Sequence, residues 1–137
     1  MRAGDLSGLY GIRPVCFDSG RARGVRAIEL YTDHALACTL LSDRCLDLAV
    51  MRFRGVNIGL ATKVGISSPV YYVEDGLRGF LRQFQAGMLT TCGIRSSGAP
   101  GTVDGVSHGL HGNISNTPAE NVCVSEQTEN GEVVLCV

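Results

Sequence analysis

The sequence predicts an all-β fold built mainly from antiparallel strands, with one short helix. Eighteen glycines against four prolines in 137 residues indicate many tight turns, which are typical of β-rich proteins. Short apolar segments follow one another with turn residues between them, and strands followed by strands favour an antiparallel sheet. With 45% hydrophobic and 18% charged residues, the composition is that of a globular domain rather than a disordered chain.

The first half of the chain predicts a four-stranded meander. Its strands are predicted at residues 24–32, 35–41, 46–53 and 56–61. The first alternates between two faces, and the second is almost wholly apolar, as in a strand covered on both sides. Asp33-His34 and Arg54-Gly55 are the expected turns. Residues 1–20 are predicted to be irregular because glycines and Pro14 interrupt them.

The second half predicts one helix and one hairpin. Apolar residues at helical spacing between Tyr71 and Phe84 predict a short helix there, with Asp75 as its N-cap. Residues 87–108 are predicted to be a glycine-rich loop with at most one short strand. Segments 122–127 and 132–137 are predicted to pair across Asn130-Gly131, a strong signal for a type I′ turn.

The charge and hydropathy of the sequence argue against several classes of function. The formal net charge is −1 at pH 7, so no overall field draws the chain to nucleic acid or to an anionic membrane. No apolar run is long enough to span a bilayer and no signal peptide opens the sequence, which predicts a cytoplasmic protein. The six cysteines contain no CxxC pair, so we expect free thiols, no zinc and no other cofactor.

The stretch HGLHGNIS, residues 108–115, contains two of the three histidines and has three interpretations. As a metal site, His108 and His111 would need a helix to bring both rings to one face. They would also need a third ligand, for which Asp104 is the nearest candidate. The neighbouring glycines argue against that helix. The remaining interpretations are a glycine-rich surface loop and part of a ligand site.

Two further polar segments favour the ligand site. Ser42-Asp43-Arg44 interrupts two apolar strands, which is typical of a turn or of a functional arginine held by its carboxylate. The segment LTTCGIRSSGAP, residues 89–100, carries small polar side chains and glycines that let a ligand approach the backbone. The sequence therefore predicts that three polar motifs gather at one place in the fold.

Four segments together resemble the N-terminal part of the DUF4432 family, whose members are related to aldose 1-epimerase (galactose mutarotase) and share its large β-sandwich. The segments are SDRCLDLAVMRFRGVNIG, FQAGMLTTCG, GAP and GLHGNISNTPAE, in the family's order over roughly residues 24–124. The resemblance implies a mutarotase-like β-sandwich, of which residues 1–137 form a single, incomplete N-terminal portion. It also implies that the ligand is a monosaccharide or a sugar derivative.

The resemblance assigns roles to individual residues. His111 matches the histidine of the mutarotase LHGG motif, which touches the sugar near its ring oxygen and anomeric hydroxyl, so it is the expected catalytic residue. Arg44 matches an arginine that faces the site, Asp43 would orient it, and Asp47 closes the motif. Thr91 begins the segment TCG, which lies beside the pocket in the family.

Two positions depart from the family pattern. Cys45 stands where the family usually has glycine, and Asn113 where it usually has arginine. Losing the arginine removes a rigid fork of donors, although Asn113 still donates and accepts hydrogen bonds over a shorter reach. Asn113 and His108 complete the expected sugar-binding set, with His108 nearer the rim.

Interconversion of sugar anomers needs a base for the anomeric hydroxyl proton and an acid for the ring oxygen, roles that suit carboxylate and histidine. His111 would be the acid or a hydrogen-bonding positioner. In the mutarotases the glutamate base and a second histidine come from the later half of the domain. We expect a sugar epimerase or mutarotase when that half is present. The alternatives are a carbohydrate-binding module without catalysis and an inactive fragment.

Two further expectations concern the structure. His111, Arg44 and Asp43 should approach one another at one concave face, with Thr91 nearby. Half of a sandwich should also leave an unpaired edge at residues 132–137, where VVLCV has no charge, no proline and strong β propensity. We therefore expect the chain to self-associate through this C-terminal edge.

Overall fold

The computed structural model describes residues 4–137, and its main feature is a five-stranded antiparallel sheet with strand order β1-β2-β3-β4-β5. The strands are β1 (Gly11–Cys16), β2 (Arg26–Tyr31), β3 (Leu36–Leu41), β4 (Asp47–Phe53) and β5 (Val56–Asn57). Each strand pairs with the one before it in an antiparallel ladder. The predicted meander is confirmed, with one strand more than expected.

The additional strand, β1, lies where the sequence predicts irregular structure. Pro14 sits within it, opposite Ile28 of β2. Proline has no N–H for a ladder and is tolerated because β1 is at the edge of the sheet. The interruption by glycine and proline therefore marks an edge strand and not a loop.

The predicted strand 56–61 is divided in two. Asn57 forms hydrogen bonds through its side chain with both the main-chain N–H and the main-chain oxygen of Gly59. This local turn ends β5, and the chain continues as β6 (Leu60–Ala61), which pairs with β7 (Ala86–Gly87). Side-chain hydrogen bonds of this kind compete with the ladder, which is why the apolar run does not form one strand.

The predicted short helix is confirmed, and it occupies five residues within the stretch 71–84. Helix α1 covers Leu77–Leu81, and Gly76 occupies the N-cap position with φ 53° and ψ −117°. Asp75 is not the N-cap, because its side chain pairs with Arg82 at 3.1 Å. A Cβ at Gly79 would lie 2.7 Å from the main-chain oxygen of Val73, so this glycine permits close packing of the helix on the preceding segment.

Two further hairpins lie in the second half of the chain. The predicted hairpin across Asn130-Gly131 is confirmed as β10 (Ser125–Glu129) and β11 (Glu132–Cys136), although β10 begins three residues later than predicted, and both turn residues have positive φ. The hairpin β8 (Gly101–Val103) and β9 (Val106–His108) lies within the predicted loop. Its turn is Asp104-Gly105, also at positive φ. Asp104 is therefore a turn residue.

The apolar core is small and lies against the first sheet. Val25, Ala27 and Leu41 form its buried centre, with Val15, Phe17, Ala49 and Ile66 packed against it. Polar side chains are buried beside it: Arg44, Asp47, Ser67, Gln83 and Ser115. Burying a polar group costs free energy unless the group is hydrogen-bonded. The hydrogen-bond partners of these side chains therefore show which loops they hold in place.

Candidate functional site

The turn at Ser42–Arg44 buries the arginine instead of presenting it at the surface. Arg44 is 1% exposed. Its Nη1 donates to the main-chain oxygen of Ser67 at 3.2 Å, and its Nη2 donates to that of Gln83 at 3.1 Å. A guanidinium carries five donors in a fixed fork, which suits it to bridging two loops. Arg44 thereby joins the β3–β4 connection to the segments before and after helix α1.

Asp43 does not orient Arg44, contrary to the expectation from the sequence. Its Oδ2 accepts from the main-chain N–H of Arg26, and its Oδ1 accepts from Nε of the same residue, each at 2.8 Å. The reason is the register of the sheet: Ala27 pairs with Leu41, so Arg26 lies beside the turn that follows β3. Asp43 therefore ties the start of β2 to this turn.

The carboxylate beside Arg44 is Asp47, which is fully buried at the start of β4. Its Oδ2 lies 3.9 Å from Nε of Arg44, and its Oδ1 accepts the main-chain N–H of Thr91 at 2.6 Å. Burial raises the pKa of Asp47 and lowers the pKa of Arg44, and the opposite charge of each partly offsets the effect on the other. This buried pair fixes the main chain at Thr91.

The same turn also holds the loop that contains His111. Beyond Thr91, Gly93 donates its N–H to the main-chain oxygen of His111 at 3.1 Å. After the loop, the N–H of Cys45 donates to the oxygen of Thr117 at 2.9 Å. The DRCLD segment is therefore hydrogen-bonded to the chain on both sides of the glycine-rich loop.

His111 is fixed against residues 93–98 and helix α1. Its main-chain N–H donates to the oxygen of Gly98 at 2.9 Å, and its Nδ1 accepts the N–H of Gly98 at 3.1 Å. The imidazole packs edge-on against Phe80 at 5.0 Å between ring centroids. Because Nδ1 accepts, the proton of the neutral ring lies on Nε2. The loop thus holds His111 as a hydrogen-bond donor of fixed orientation.

Arg44 and His111 are linked indirectly. Within residues 4–137 no hydrogen bond joins His111 to Arg44 or to Asp43. The end of helix α1 connects them, since Phe80 touches His111 and Gln83 accepts from Arg44. The approach of the three side chains to one concave face stays a prediction, and what the hydrogen bonds show is that their motifs are joined through the main chain.

A small polar pocket of about 260 Å³ adjoins the His111 loop. Val106 and Ser107 of strand β9 form part of its wall, together with the side chains of Tyr72, Glu74, Arg95, His108 and Asn113. Gly93 and Gly112 also line it, so the pocket lies next to His111 although His111 is not among its lining residues. His108 is half-buried at the end of β9, and Asn113 is exposed. Two of the sequence-predicted residues therefore share this pocket.

Tyr72 and Glu74 are pocket residues that the sequence analysis does not identify. The hydroxyl of Tyr72 donates to Oε2 of Glu74 at 2.6 Å, and the N–H of Gly76 donates to Oε1 at 2.9 Å. Burial first, and then this carboxylate, raise the pKa of Tyr72 to about 12. The only signal in the sequence is an aromatic pair and an acidic residue ahead of a glycine, which many surface loops share.

The largest cavity described lies elsewhere, between strands β1 and β2 and the segment 118–124. It measures about 970 Å³, and its walls include Val15, Ala27, Ile28 and Val122. None of the sequence-predicted site residues lines it. Arg26, Ser42, Glu120 and Asn121 also line this cavity. The smaller pocket is the candidate site because it contains His108 and Asn113, which the sequence predicts.

No group of three or more His, Cys, Asp or Glu side chains within residues 4–137 is arranged to hold a metal ion. No helix in the same range is long and apolar enough to cross a membrane.

The fold and the sequence place the chain in the aldose 1-epimerase-like, or mutarotase-like, superfamily. Its structure is similar to the crystal structure, at 1.90 Å, of a protein from Klebsiella pneumoniae subsp. pneumoniae MGH 78578 that is provisionally named an aldose 1-epimerase. The TM-score is 0.70 at 27% sequence identity, over 80% of this chain and 29% of the other. The predicted all-β, mutarotase-like fold class is confirmed.

Within this superfamily the chain belongs to the DUF4432 family, a domain of unknown function, whose family model matches residues 22–137. The match confirms the resemblance inferred from the four sequence segments. No curated protein matches the sequence significantly. The chain spans 29% of the length of the Klebsiella protein.

Proposed function

We propose that this chain supplies one wall of a sugar site in a protein that epimerises or mutarotates a monosaccharide or a sugar derivative. The similarity to a protein provisionally named an aldose 1-epimerase supports the substrate class. The polar pocket supports it independently, because its side chains combine donors and acceptors of both charge signs. A neutral polyhydroxyl ligand offers both kinds of hydrogen-bonding group and matches such a lining.

The observation that carries the proposal is the fixed orientation of His111. With Nδ1 occupied by Gly98, the Nε2–H of the ring is the group offered to a ligand. A donor of this kind stabilises charge that develops on the ring oxygen of a sugar while the ring opens, and a positioned acid contributes about 10²–10⁴-fold to a rate. In the proposed mechanism His111 is the catalytic acid or hydrogen-bonding positioner.

The buried motif residues act in this proposal through the loops they hold. Arg44 and Asp47 are buried away from any ligand and keep the Thr91 segment in place. Asp43 holds the turn through Arg26. These three are positioning residues. Thr91 lies at the fixed end of the segment that leads to His111.

Contacts with sugar hydroxyls are assigned to His108 and Asn113, which line the pocket. His108 offers one donor and one acceptor as a neutral ring, and Asn113 offers an amide with both. The amide is shorter than the arginine that the family usually has at this position, so it suits a ligand that lies close to the loop.

Binding without catalysis is a second candidate for the chain by itself. Within residues 4–137 no carboxylate is hydrogen-bonded to His111, and a base for the anomeric hydroxyl is needed for turnover. On this alternative the chain binds sugar and the base is contributed by another part of the protein. The isolated chain would then bind sugar but leave the spontaneous rate of anomerisation unchanged.

The variant His111→Asn in the full-length protein tests the proposal. Asparagine tolerates the left-handed backbone at this position (φ 59°) and retains an acceptor near the position of Nδ1, but it lacks Nε2. We expect anomer exchange, followed by NMR, to slow by about 100-fold or more.

Treatment with EDTA should change neither the rate of anomer exchange nor the stability of the protein. Stoichiometric zinc, or folding that depends on metal, would instead support the metal interpretation of His108 and His111.

A further inference from the structure

The carboxylate of Glu74 is built into the pocket by three neighbouring groups. Tyr72 and the N–H of Gly76 each donate to a different oxygen. On another side the carboxylate packs against Gly109, where an added Cβ would collide with both of its oxygens. The carboxylate is therefore held in one position although Glu74 is exposed to solvent.

The fixed carboxylate still has capacity to bind a ligand. An ionised carboxylate has about four acceptor sites, and Tyr72 and Gly76 use one on each oxygen, so about two remain. The hydroxyl of Tyr72 is protonated at neutral pH, since the pKa of a phenol is ordinarily 10 and burial and Glu74 raise it further, to about 12. Tyr72 therefore continues to donate to Glu74. The remaining acceptor sites of the Glu74 carboxylate can bind a ligand.

The composition of the pocket indicates the class of ligand. Glu74 and Arg95 give it one negative and one positive side chain, so it favours neither anions nor cations. His108 and Asn113 add further donors and acceptors from a separate segment. The volume of about 260 Å³ is at the small end of ligand pockets, which suits one polyhydroxyl unit.

We propose that Glu74 is a sugar-binding residue that accepts hydrogen bonds from ligand hydroxyls in the pocket it shares with His108 and Asn113. This inference rests on the proposed sugar site and extends it to a residue outside the motifs of the family resemblance. It assigns Tyr72 and Gly109 as positioning residues, because they fix where the carboxylate lies.

Two variants of the full-length protein test this role without depending on one another. Glu74→Gln keeps the shape and removes the charge, and its amide can still bond to the hydroxyl of Tyr72 and to the N–H of Gly76. Gly109→Ala keeps the charge and displaces the carboxylate. The matched controls are Glu129→Gln, on the exposed β10 strand, and Gly8→Ala, where nothing lies within 4 Å of the added Cβ.

The measurement is binding of a panel of aldopentoses, aldohexoses and their uronic acids by calorimetry. For a sugar that binds the wild-type protein, we expect Glu74→Gln and Gly109→Ala to weaken affinity about tenfold or more, and both controls to match wild type. Tyr72→Phe should weaken it less, because the carboxylate remains.

The outcomes separate this inference from the function on which it rests. If wild type binds sugar, and His111→Asn alters turnover while both Glu74→Gln and Gly109→Ala bind like wild type, the role of Glu74 is wrong and the sugar site stands. If wild type binds no member of the panel, the sugar site and the role of Glu74 fall together. Circular dichroism of each variant identifies any loss of binding that comes from unfolding, and the other variant then decides.

Discussion

At the scale of single residues, the segments DRCLD and HGLHGNIS each place non-glycine residues in the left-handed backbone region. Cys45 and Leu46 have φ of 53° and 58°, and His111 has φ of 59°. This conformation costs an L-residue roughly 1–2 kcal/mol relative to the right-handed region. It persists where surrounding hydrogen bonds determine the backbone, and here the N–H of Cys45 is held by Thr117. The geometry also accounts for the glycine that the family usually has at position 45.

Replacing Cys45 by glycine should therefore stabilise the protein. The relief of about 1–2 kcal/mol of strain exceeds the roughly 0.4–1 kcal/mol by which glycine favours the unfolded chain. We expect the free energy of unfolding in urea to rise by about 0.5–1 kcal/mol. The control Cys45→Ala removes the thiol but keeps the strain, so it should give no gain. A loss of stability in Cys45→Gly would show that the thiol contributes packing that outweighs the strain.

The raised pKa of Tyr72 predicts a dependence of stability on alkaline pH. The folded state holds the phenol proton up to a pKa of about 12, whereas the unfolded state releases it near the ordinary value of 10. The stabilising contribution is therefore fully present below pH 10 and is lost as the pH rises towards 12. The difference between wild type and Tyr72→Phe, measured by denaturation from pH 8 to 12, should shrink across this window. A constant difference would contradict the hydrogen bond from the Tyr72 hydroxyl to Glu74.

At the scale of elements, the buried Arg44–Asp47 pair joins the β3–β4 turn, the segments before and after helix α1, and the Thr91 segment. Removing one member leaves a buried charge without its partner, which costs about 3–5 kcal/mol. Asp47→Asn keeps an acceptor for the N–H of Thr91, and Arg44→Met keeps much of the volume. We expect each single variant to destabilise strongly in urea denaturation.

The double variant Arg44→Met/Asp47→Asn should cost less than the sum of the two single changes, with a coupling of about 1–3 kcal/mol. Strictly additive costs would mean that the two side chains do not interact, and that the 3.9 Å separation between Nε and Oδ2 leaves them independent.

The elements predicted from sequence are those with local signals. Alternation and apolar runs locate β2, β3 and β4 within two residues of their observed ends. Asn130-Gly131 locates the last hairpin, and Asp104-Gly105 carries the same signal for the hairpin β8–β9. The hairpin β8–β9 was not predicted, because Asp104 was considered only as a candidate metal ligand.

The elements that were not predicted depend on tertiary contacts. The spacing of leucine and phenylalanine predicts a short helix within 71–84 but not its first residue, since the helix begins at Leu77, where the preceding segment packs against Gly79. The burial of Arg44 depends on carbonyl oxygens 23 and 39 residues away. The position of Glu74 depends on its approach to Gly109. Contacts of such separation leave no pattern in a single sequence.

At the scale of the whole molecule, large apolar side chains remain exposed on the described chain. Val56, Ile58 and Leu60 follow β4, and Val133 and Val137 lie on or next to β11. Strand β11 pairs only with β10 within residues 4–137, so its other edge has no strand partner in that range. Edges and apolar patches of this kind recruit other strands.

The 137-residue chain expressed alone should therefore self-associate. Sedimentation velocity should show species larger than a monomer, with proportions that increase with protein concentration. Val133→Lys, which places a charge on the exposed β11 strand, should shift the distribution towards monomer, whereas a lysine at Val70, exposed on a different segment, should have less effect. A stable monomer at all concentrations would contradict this expectation.

The central claim is that His111 offers its Nε2–H to a sugar, and exchange between anomers measured by NMR tests it most directly. The comparison is between wild-type full-length protein, His111→Asn and the control Glu129→Gln, each with its free energy of unfolding. We predict that wild type and Glu129→Gln catalyse exchange between anomers. The rate in His111→Asn should be about 100-fold or more lower. Stability of that variant should fall by no more than about 1–2 kcal/mol. A wild-type rate in His111→Asn, a rate that falls only in step with the folded fraction, or no catalysis by wild type would contradict it.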